Sequence, residues 1–571
     1  MKGGVFLDQD TLYAPDIVDF IIRKDAYYDQ MILNHPGLIT SHTIKDTYVI
    51  CYAKVDDYNE MITYMGTDFI NSVPTVLGLT VRPSLESAAI IQVQQQPYLN
   101  LSGAGVLVAF VDTGIDYTQP VFKHPDGTSK IRYIYDQTIP GTPPGGLPLG
   151  TEYTNEQINA ALASENPYQI VPHRDEVGHG TFLASVAAAS PDGDFTGAAP
   201  KAEIIMVKLK KAYPFYLRRF VVPPEQENAF EASFLMLGVE YIMQKAVELH
   251  RPVVICVGLG SDYDSHDGFS PCEDYLYTVG AIPGVCVCTS AGNENQTKRH
   301  FYKKFSPDKE PIDIDIRAGE DAGDIFMVIT NTISDRTSVS LRSPTGELVG
   351  RVPAKAAYTL TTRLVLEHSE VSISYHFPIE GSGDQVTIVK ILNATPGIWT
   401  VTVYGDIILN GTIQAWLPLV GFVSPSVEFL TSDPYYTITY PATGMGTIRC
   451  GATDSDSDSL YPMSSWGPTR INPLAPDLVA PGYQIGGIYP SGYGYMSGTS
   501  IAAAITSGAC ALLLQWAVIN GNDLGFSTSA INAYLVRGCK RSDDMTYPNS
   551  QWGFGALNLL QTFYYMRELS P

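Results

Sequence analysis

The chain has 571 residues, enough for about three or four domain-sized units. Its net charge of −23 gives a surface that repels phosphate, which argues against nucleic acid or an anionic membrane as partner. With 45% apolar and 17% charged residues, wholesale disorder is excluded.

At the N-terminus Met1-Lys2-Gly3-Gly4 leads into Val5-Phe6-Leu7, and Asp8 ends the run. No secretory signal is visible there, so the expected location is cytoplasmic. Residues 1–87 read as a small α+β unit. Ile17–Ile22 suits one packed face, Thr47–Val55 reads as a strand, and Asp56–Met65 reads as a helix. The stretch Pro83–Ile90 leads out of it in what reads as an exposed form.

From Gly105 the texture changes. Val106–Val111 is a continuous apolar run, as expected of a strand buried on both faces of a parallel sheet. Similar runs recur at Ala202–Val207, Val253–Val257 and Val285–Thr289, with helical patterns at Gly180–Ala189 and Ala229–Leu249. This alternation predicts a doubly wound, mostly parallel α/β sheet, whose chemistry sits at the carboxyl ends of its strands.

Between residues 298 and 440 the helical pattern gives way to short alternating strands. These are Ile325–Thr330, Ser338–Leu341, Val371–Tyr375, Val386–Lys390 and Trp399–Val403, the pattern of a β-sandwich. α/β texture returns after it, so the β unit reads as an insertion. The division is 1–87, 88–297, 298–440 and 441–571, the second and fourth segments forming one domain.

The apolar run from Ser500 to Ile519 is about as long as a bilayer is thick. Its Ser, Thr, Gly and Gln residues make it a buried core helix rather than a membrane span. The eight cysteines show no paired metal spacing and read as buried free thiols. The acidic run Asp454–Asp458 lacks the later glycine and glutamate of a calcium loop and reads as solvated. His173, His266 and His300 are not at ligand spacing and read as surface groups or as supports behind a site. No metal site is assigned and no cofactor is expected.

Three motifs carry chemistry: Val111-Asp112-Thr113-Gly114, Gly178-His179-Gly180-Thr181 and Ser497-Gly498-Thr499-Ser500. Each alone is ambiguous, since a strand-end Asp can cap a helix, a lone His is usually structural, and Gly-Thr-Ser is common. Together in an α/β frame they are far more specific. A serine hydroxyl needs a base to take its proton as it attacks a carbonyl, and imidazole can do so and return the proton to the leaving amine. A buried carboxylate fixes the imidazole tautomer. The glycines beside His179 allow close backbone approach. Ser500 at a helix N-terminus faces unpaired N–H groups that favour an oxyanion. Asn293, in Thr289-Ser290-Ala291-Gly292-Asn293, is either a second donor to that oxyanion or part of a Gly-Asn turn.

These motifs, with Ala475-Pro476-Asp477-Leu478-Val479-Ala480-Pro481-Gly482, resemble those of the subtilisin-like serine proteases. The resemblance implies a subtilisin-like fold with Asp112, His179 and Ser500 as catalytic triad and Asn293 as oxyanion residue. It places Gly258, Leu259 and Gly260, with Ser290, Ala291 and Gly292, along the substrate pocket, although most subtilases have serine where Gly258 stands. It also allows a structural calcium ion, for which the residues name no site.

A narrower resemblance, carried by Ser500–Trp516, Gln96–Leu101, Ser265–Gly268 and the β insertion, is to the Csp proteases of clostridial spores. That likeness implies a retained prodomain over residues 1–87 lying in the cleft, an inserted jelly roll, and a spore-associated location. Active members of that family cut the zymogen of a cortex-lytic hydrolase during germination; degenerate members have lost triad residues and act in signalling. The expectation is therefore a serine endopeptidase acting on a protein or peptide and cutting off its own prodomain between Leu85 and Ala89, at Ser87–Ala88. The alternative is a non-catalytic germination or signalling protein whose cleft stays blocked by the prodomain.

Overall fold

The computed structural model describes residues 9–24, 31–45, 47–65, 73–79, 86–193, 195–471 and 474–568. Its centre is a largely parallel sheet. From one side the strands run Ile448–Asp454, Val285–Ser290, Val253–Val257, Leu107–Asp112, Glu203–Lys208 and Ile131–Asp136. Leu478–Pro481 adds in parallel beyond Ile448–Asp454, and Thr151–Thr154 closes the other side antiparallel.

Chain order reverses at Leu107–Asp112, which has Val253–Val257 on one flank and Glu203–Lys208 on the other. That reversal opens a crevice at the carboxyl end of the strand, where Asp112 stands. Every residue of Leu107–Asp112, Val253–Val257 and Val285–Ser290 is buried, which is why these strands read as unbroken apolar runs rather than alternating ones.

The helix Thr499–Leu514 is also wholly buried. It packs against His179–Ala188 and the strands Val285–Ser290, Ile448–Asp454 and Val253–Val257. Together with the turn Gln515–Ile519 it is long and apolar enough to cross a membrane, but here its apolar surface is spent on the sheet. All eight cysteines are free and buried.

The expected helix at Ala229–Leu249 begins at Ala232 instead. Phe230 and Glu231 are drawn into a short strand by pairing with Leu77 and Val76.

Between His300 and Phe429 lie two antiparallel sheets. One is ordered His300–Lys304, Thr412–Trp416, Ile325–Asn331, Gln385–Leu392, Glu370–His376 and Tyr358–Arg363. The other runs Leu348–Val352, Arg336–Arg342, Gly397–Ile407, Ile312–Ala318 and Glu428–Phe429. They enclose a shared core that includes Ile314, Met327, Ile373 and Trp399. Trp399 and Trp416 are both buried. The chain leaves the α/β unit and returns to it beside one position, since Thr439 N–H donates to Ala291 O at 3.0 Å.

The N-terminal part forms a three-stranded antiparallel sheet of Ile17–Arg23, Tyr48–Lys54 and Leu38–Ile44, followed by the helix Val55–Met65. Its core is continuous with that of the α/β unit through residues such as Phe20, Tyr58, Tyr216 and Leu235. Beyond it Val76–Leu79 enters the crevice as a strand. It pairs antiparallel with Leu259–Gly260 on one side and with Phe230–Glu231 on the other.

Of the segment expected to be exposed, residues 83–85 lie outside the described residues; Ser87 is exposed, but Ala88, Ala89 and Ile90 are buried. They belong to a helical turn and the short helix Ile90–Gln94, which packs on Leu559–Glu568.

Candidate active site

Asp112, His179 and Ser500 are 67 and 321 residues apart in sequence, yet they converge. His179 Nδ1 lies 2.8 and 2.9 Å from the two carboxylate oxygens of Asp112. Its Nε2 lies 3.3 Å from Ser500 Oγ. All three side chains are buried. Thr113 N–H donates to Asp112 Oδ1 at 2.7 Å, which fixes the carboxylate at its strand end. With an acceptor at Nδ1, the favoured tautomer carries its proton there and makes Nε2 the acceptor that faces the serine.

The local sequence explains how the imidazole gets so close. Gly178 precedes the helix His179–Ala188 with φ 85°, and a Cβ on Gly180 would lie 2.2 Å from Gly114 O. No other residue fits at Gly180, because the helix start lies directly on the loop that follows Asp112.

Asp175, which sequence reasoning missed, ties the two together. Its Oδ1 accepts from Thr113 Oγ1 and Gly178 N, both at 2.8 Å. Its Oδ2 accepts from Thr181 N at 2.9 Å and Thr181 Oγ1 at 2.6 Å. Thr113 Oγ1 in turn accepts from Gly180 N at 3.0 Å.

His173 is not a surface group but a support. It is fully buried, lies 2.6 Å from Asp136 through Nδ1, and accepts Ile115 N–H at Nε2. His266 and His300 are not surface groups either. They flank Trp416, with ring centroids 4.2 and 4.9 Å from it, and burial pushes each imidazole down to about 3.

Ser500 is the second residue of its helix, where backbone N–H groups are unpaired and the dipole is positive. Asn293 is anchored beside it. Its Oδ1 accepts from Thr499 N at 3.0 Å and from Thr499 Oγ1 at 3.3 Å, which leaves the Nδ2 amide as its remaining donor. Gly292 N–H donates to the same threonine hydroxyl at 3.0 Å.

Gly258, Leu259 and Gly260 run past the serine, and Ser290, Ala291 and Gly292 form the facing segment, with all six residues buried. Ser290 Oγ reaches Leu259 O at 3.5 Å. A Cβ on Gly258 would fall 3.1 Å from Ser500 Cβ and 2.8 Å from Leu183 Cδ1, so Leu183 already takes the space of a side chain there.

Ser87 and Ala88 are not brought to this site. Ser87 Oγ lies 2.8 Å from Ser455 Oγ, and Ala88 is packed in the short turn described above. What enters the crevice is Val76–Leu79, because only an extended backbone can pair with Leu259–Gly260.

Among the described residues the one close cluster of potential metal ligands is Cys286, Cys288 and Cys510, buried between the strand Val285–Ser290 and the serine helix, which carries Cys510. In the acidic run, Asp456 to Asp458 are exposed, and Asp458 pairs with Lys540.

The model of the subtilase family matches residues 103–346 and 430–555. The chain belongs to the subtilase family. The two matched blocks carry all three residues of the Asp–His–Ser set. Among solved structures the chain is similar to the CspB protease of Clostridium perfringens. They share 31% identity with a TM-score of 0.75, over 85% of this chain and 99% of that one.

Among curated proteins it is 22% identical to the minor extracellular protease Vpr of Bacillus subtilis, over 89% of this chain and 58% of Vpr. It is 24% identical to the subtilisin-like protease SBT3.2 of Arabidopsis thaliana, over 70% of this chain and 59% of that protein. The chain thus spans less than two thirds of the length of these curated relatives.

Proposed function

We propose that this subtilase is a serine endopeptidase in which Ser500 attacks the peptide carbonyl. His179 takes the serine proton through Nε2 and returns it to the leaving amine. Asp112 holds the ring and offsets the charge that develops on it. The acyl-enzyme on Ser500 is then hydrolysed by water that His179 deprotonates in the same way. Asn293 Nδ2 and the Ser500 N–H receive the oxyanion. The observation that carries this reading is the unbroken sequence of contacts from Asp112 through His179 to Ser500 at a helix N-terminus.

The N-terminal unit acts, on this reading, as a prodomain whose extended end occupies the cleft and is cut by the same serine. The pairing of Val76–Leu79 with Leu259–Gly260 supports it, since that is how an extended substrate would lie. The inserted β-sandwich, taken as a jelly roll, remains without an assigned role. By likeness to the Csp proteases, the proposed substrate is the zymogen of a spore cortex-lytic hydrolase.

The test is intact mass measurement and fluorophosphonate labelling of the wild-type chain and of Ser500→Ala. Labelling at Ser500 and a cut in the wild type alone support the reading. Equal cutting in the variant would refute it, and a wild type that is neither cut nor labelled would favour a permanently blocked cleft. Incubation with the purified zymogen then tests the substrate.

A further inference from the structure

A substrate side chain next to the cut must enter the slot between Leu259–Gly260 and Ala291–Gly292. Thr439 stands between these two walls. It is fully buried, its N–H donates to Ala291 O at 3.0 Å, and the next residue exchanges two backbone hydrogen bonds with Ser261 at 3.0 and 3.1 Å. The threonine is therefore fastened to both sides of the slot.

It also fills the slot. A Cβ on Gly260 would lie 2.5 Å from Thr439 Oγ1, and one on Gly292 would lie 2.6 Å from Thr439 Cγ2 and 2.8 Å from Ser465 Oγ. Carbon atoms pack best at about 3.5–4.0 Å. Thr439 is thus already in contact with the bare backbone of both glycines, and no deep cavity opens between them.

We propose that Thr439 is the specificity-determining residue of this protease, closing the slot so that only a small side chain, the size of alanine, serine or threonine, is accepted on the acyl side of the cut. This rests on Ser500 being the nucleophile.

The register of the N-terminal strand points the same way. Gly78 lies opposite Gly260 and Leu79 opposite Leu259, the residue next to Gly258. A Cβ on Gly258 would lie 3.1 Å from Ser500 Cβ, so this wall passes beside the serine one residue further on. The cut is then expected after residue 80. That residue lies outside the described ones, but its identity is threonine, a side chain such a slot would take.

The experiment follows self-cutting of the full-length chain by intact mass. Residue 80 is varied (Thr80→Ala, Thr80→Ser, Thr80→Leu, Thr80→Phe) with residue 439 as Thr, Thr439→Ser or Thr439→Gly. With Thr439 present, Ala and Ser should be cut within about threefold of Thr, and Phe about a hundredfold more slowly. Thr439→Gly should speed the Phe chain at least tenfold relative to the Thr chain, with Thr439→Ser between. A cooperative thermal unfolding transition reports whether each variant has folded, since an uncut chain keeps its strand in the cleft and need not label, and the residue 80 series leaves the slot itself untouched. Equal cutting of Phe and Thr chains with Thr439 present, or an order unchanged by Thr439→Gly while that transition persists, overturns the proposal alone. Absence of both cutting and labelling in the wild type means a blocked cleft, which overturns the endopeptidase reading and this proposal with it.

Discussion

Ser87 Oγ lies 2.8 Å from Ser455 Oγ, on the loop that follows Ile448–Asp454, rather than beside Ser500. The segment around it is held in place. Gln94 Nε2 donates to Gly197 O and Ala198 O at 3.1 and 2.9 Å, and Ala88 and Ile90 are buried. A protease cuts extended chain, and the extended chain here is Val76–Leu79. N-terminal sequencing of the processed protein should therefore begin at Val81, and Ser87→Ala should be processed at the wild-type rate. A terminus at Ala88 would reinstate the junction expected from sequence.

Asn293 is held through its Oδ1 by Thr499, the residue before Ser500, so its amide is set before substrate arrives. A donor aimed at charge that appears only in the transition state affects turnover more than binding. Asn293→Ala should lower kcat by about 10²–10³ with KM nearly unchanged. Kinetics on a cleaved peptide check this, and a rise in KM at constant kcat would contradict it.

Asp175 holds the loop after Asp112 and the helix of His179 through four hydrogen bonds. Asp175→Ala orphans buried donors and costs about 3 kcal/mol of stability for the loss of bonds to a charged group. It should also let the imidazole shift from the serine, and a misplacement near 1 Å costs about 10² in rate. Asp175→Asn should recover part of the rate. A variant that loses thermal stability but keeps full kcat would show that Asp175 matters to folding alone.

These residues divide by how far their signals travel along the chain. Asp112, His179 and Ser500 were readable because each sits where a buried apolar element begins or ends beside glycine. Asp175 was not, because its partners are defined by the meeting of a loop and a helix rather than by a spacing. Thr439 was hidden for a different reason. It lies against Gly292, but the two sheets from His300 to Phe429 intervene in sequence. The turn Glu86–Ala88 packs on Leu478–Pro481, and the helix that begins at Ile90 packs on Leu559–Glu568, both far along the chain. His266 and His300 read as surface groups or supports because they are not at ligand spacing. Their burial comes from Trp416, a residue of the inserted sheets packed against the α/β unit.

The contact between the N-terminal sheet and the α/β unit contains two carboxyl groups, Asp19 and Glu231, both fully buried. Burial raises both above the ordinary carboxyl value, Glu231 strongly so; the neighbouring Asp19 raises Glu231 further, whereas the hydrogen bond between the two lowers Asp19. Lys210 faces them and is itself pushed down to about 8 by burial. Tyr52, Tyr213 and Tyr216 are raised and so stay neutral throughout. A carboxyl whose value is raised by docking binds its proton more tightly when docked. That contribution is therefore complete below the ordinary carboxyl range and is lost as pH climbs through the raised values. Lys210 acts in the opposite sense, but only above about 8. Between pH 5 and 8 the cut N-terminal fragment should therefore be held less tightly as pH rises, by at most about tenfold per pH unit for each proton released. Size-exclusion of the processed protein across that range reads the retained fraction, and Glu231→Gln should flatten its pH dependence. Retention that strengthened with pH across that range would mean that the carboxyl pair does not govern the contact.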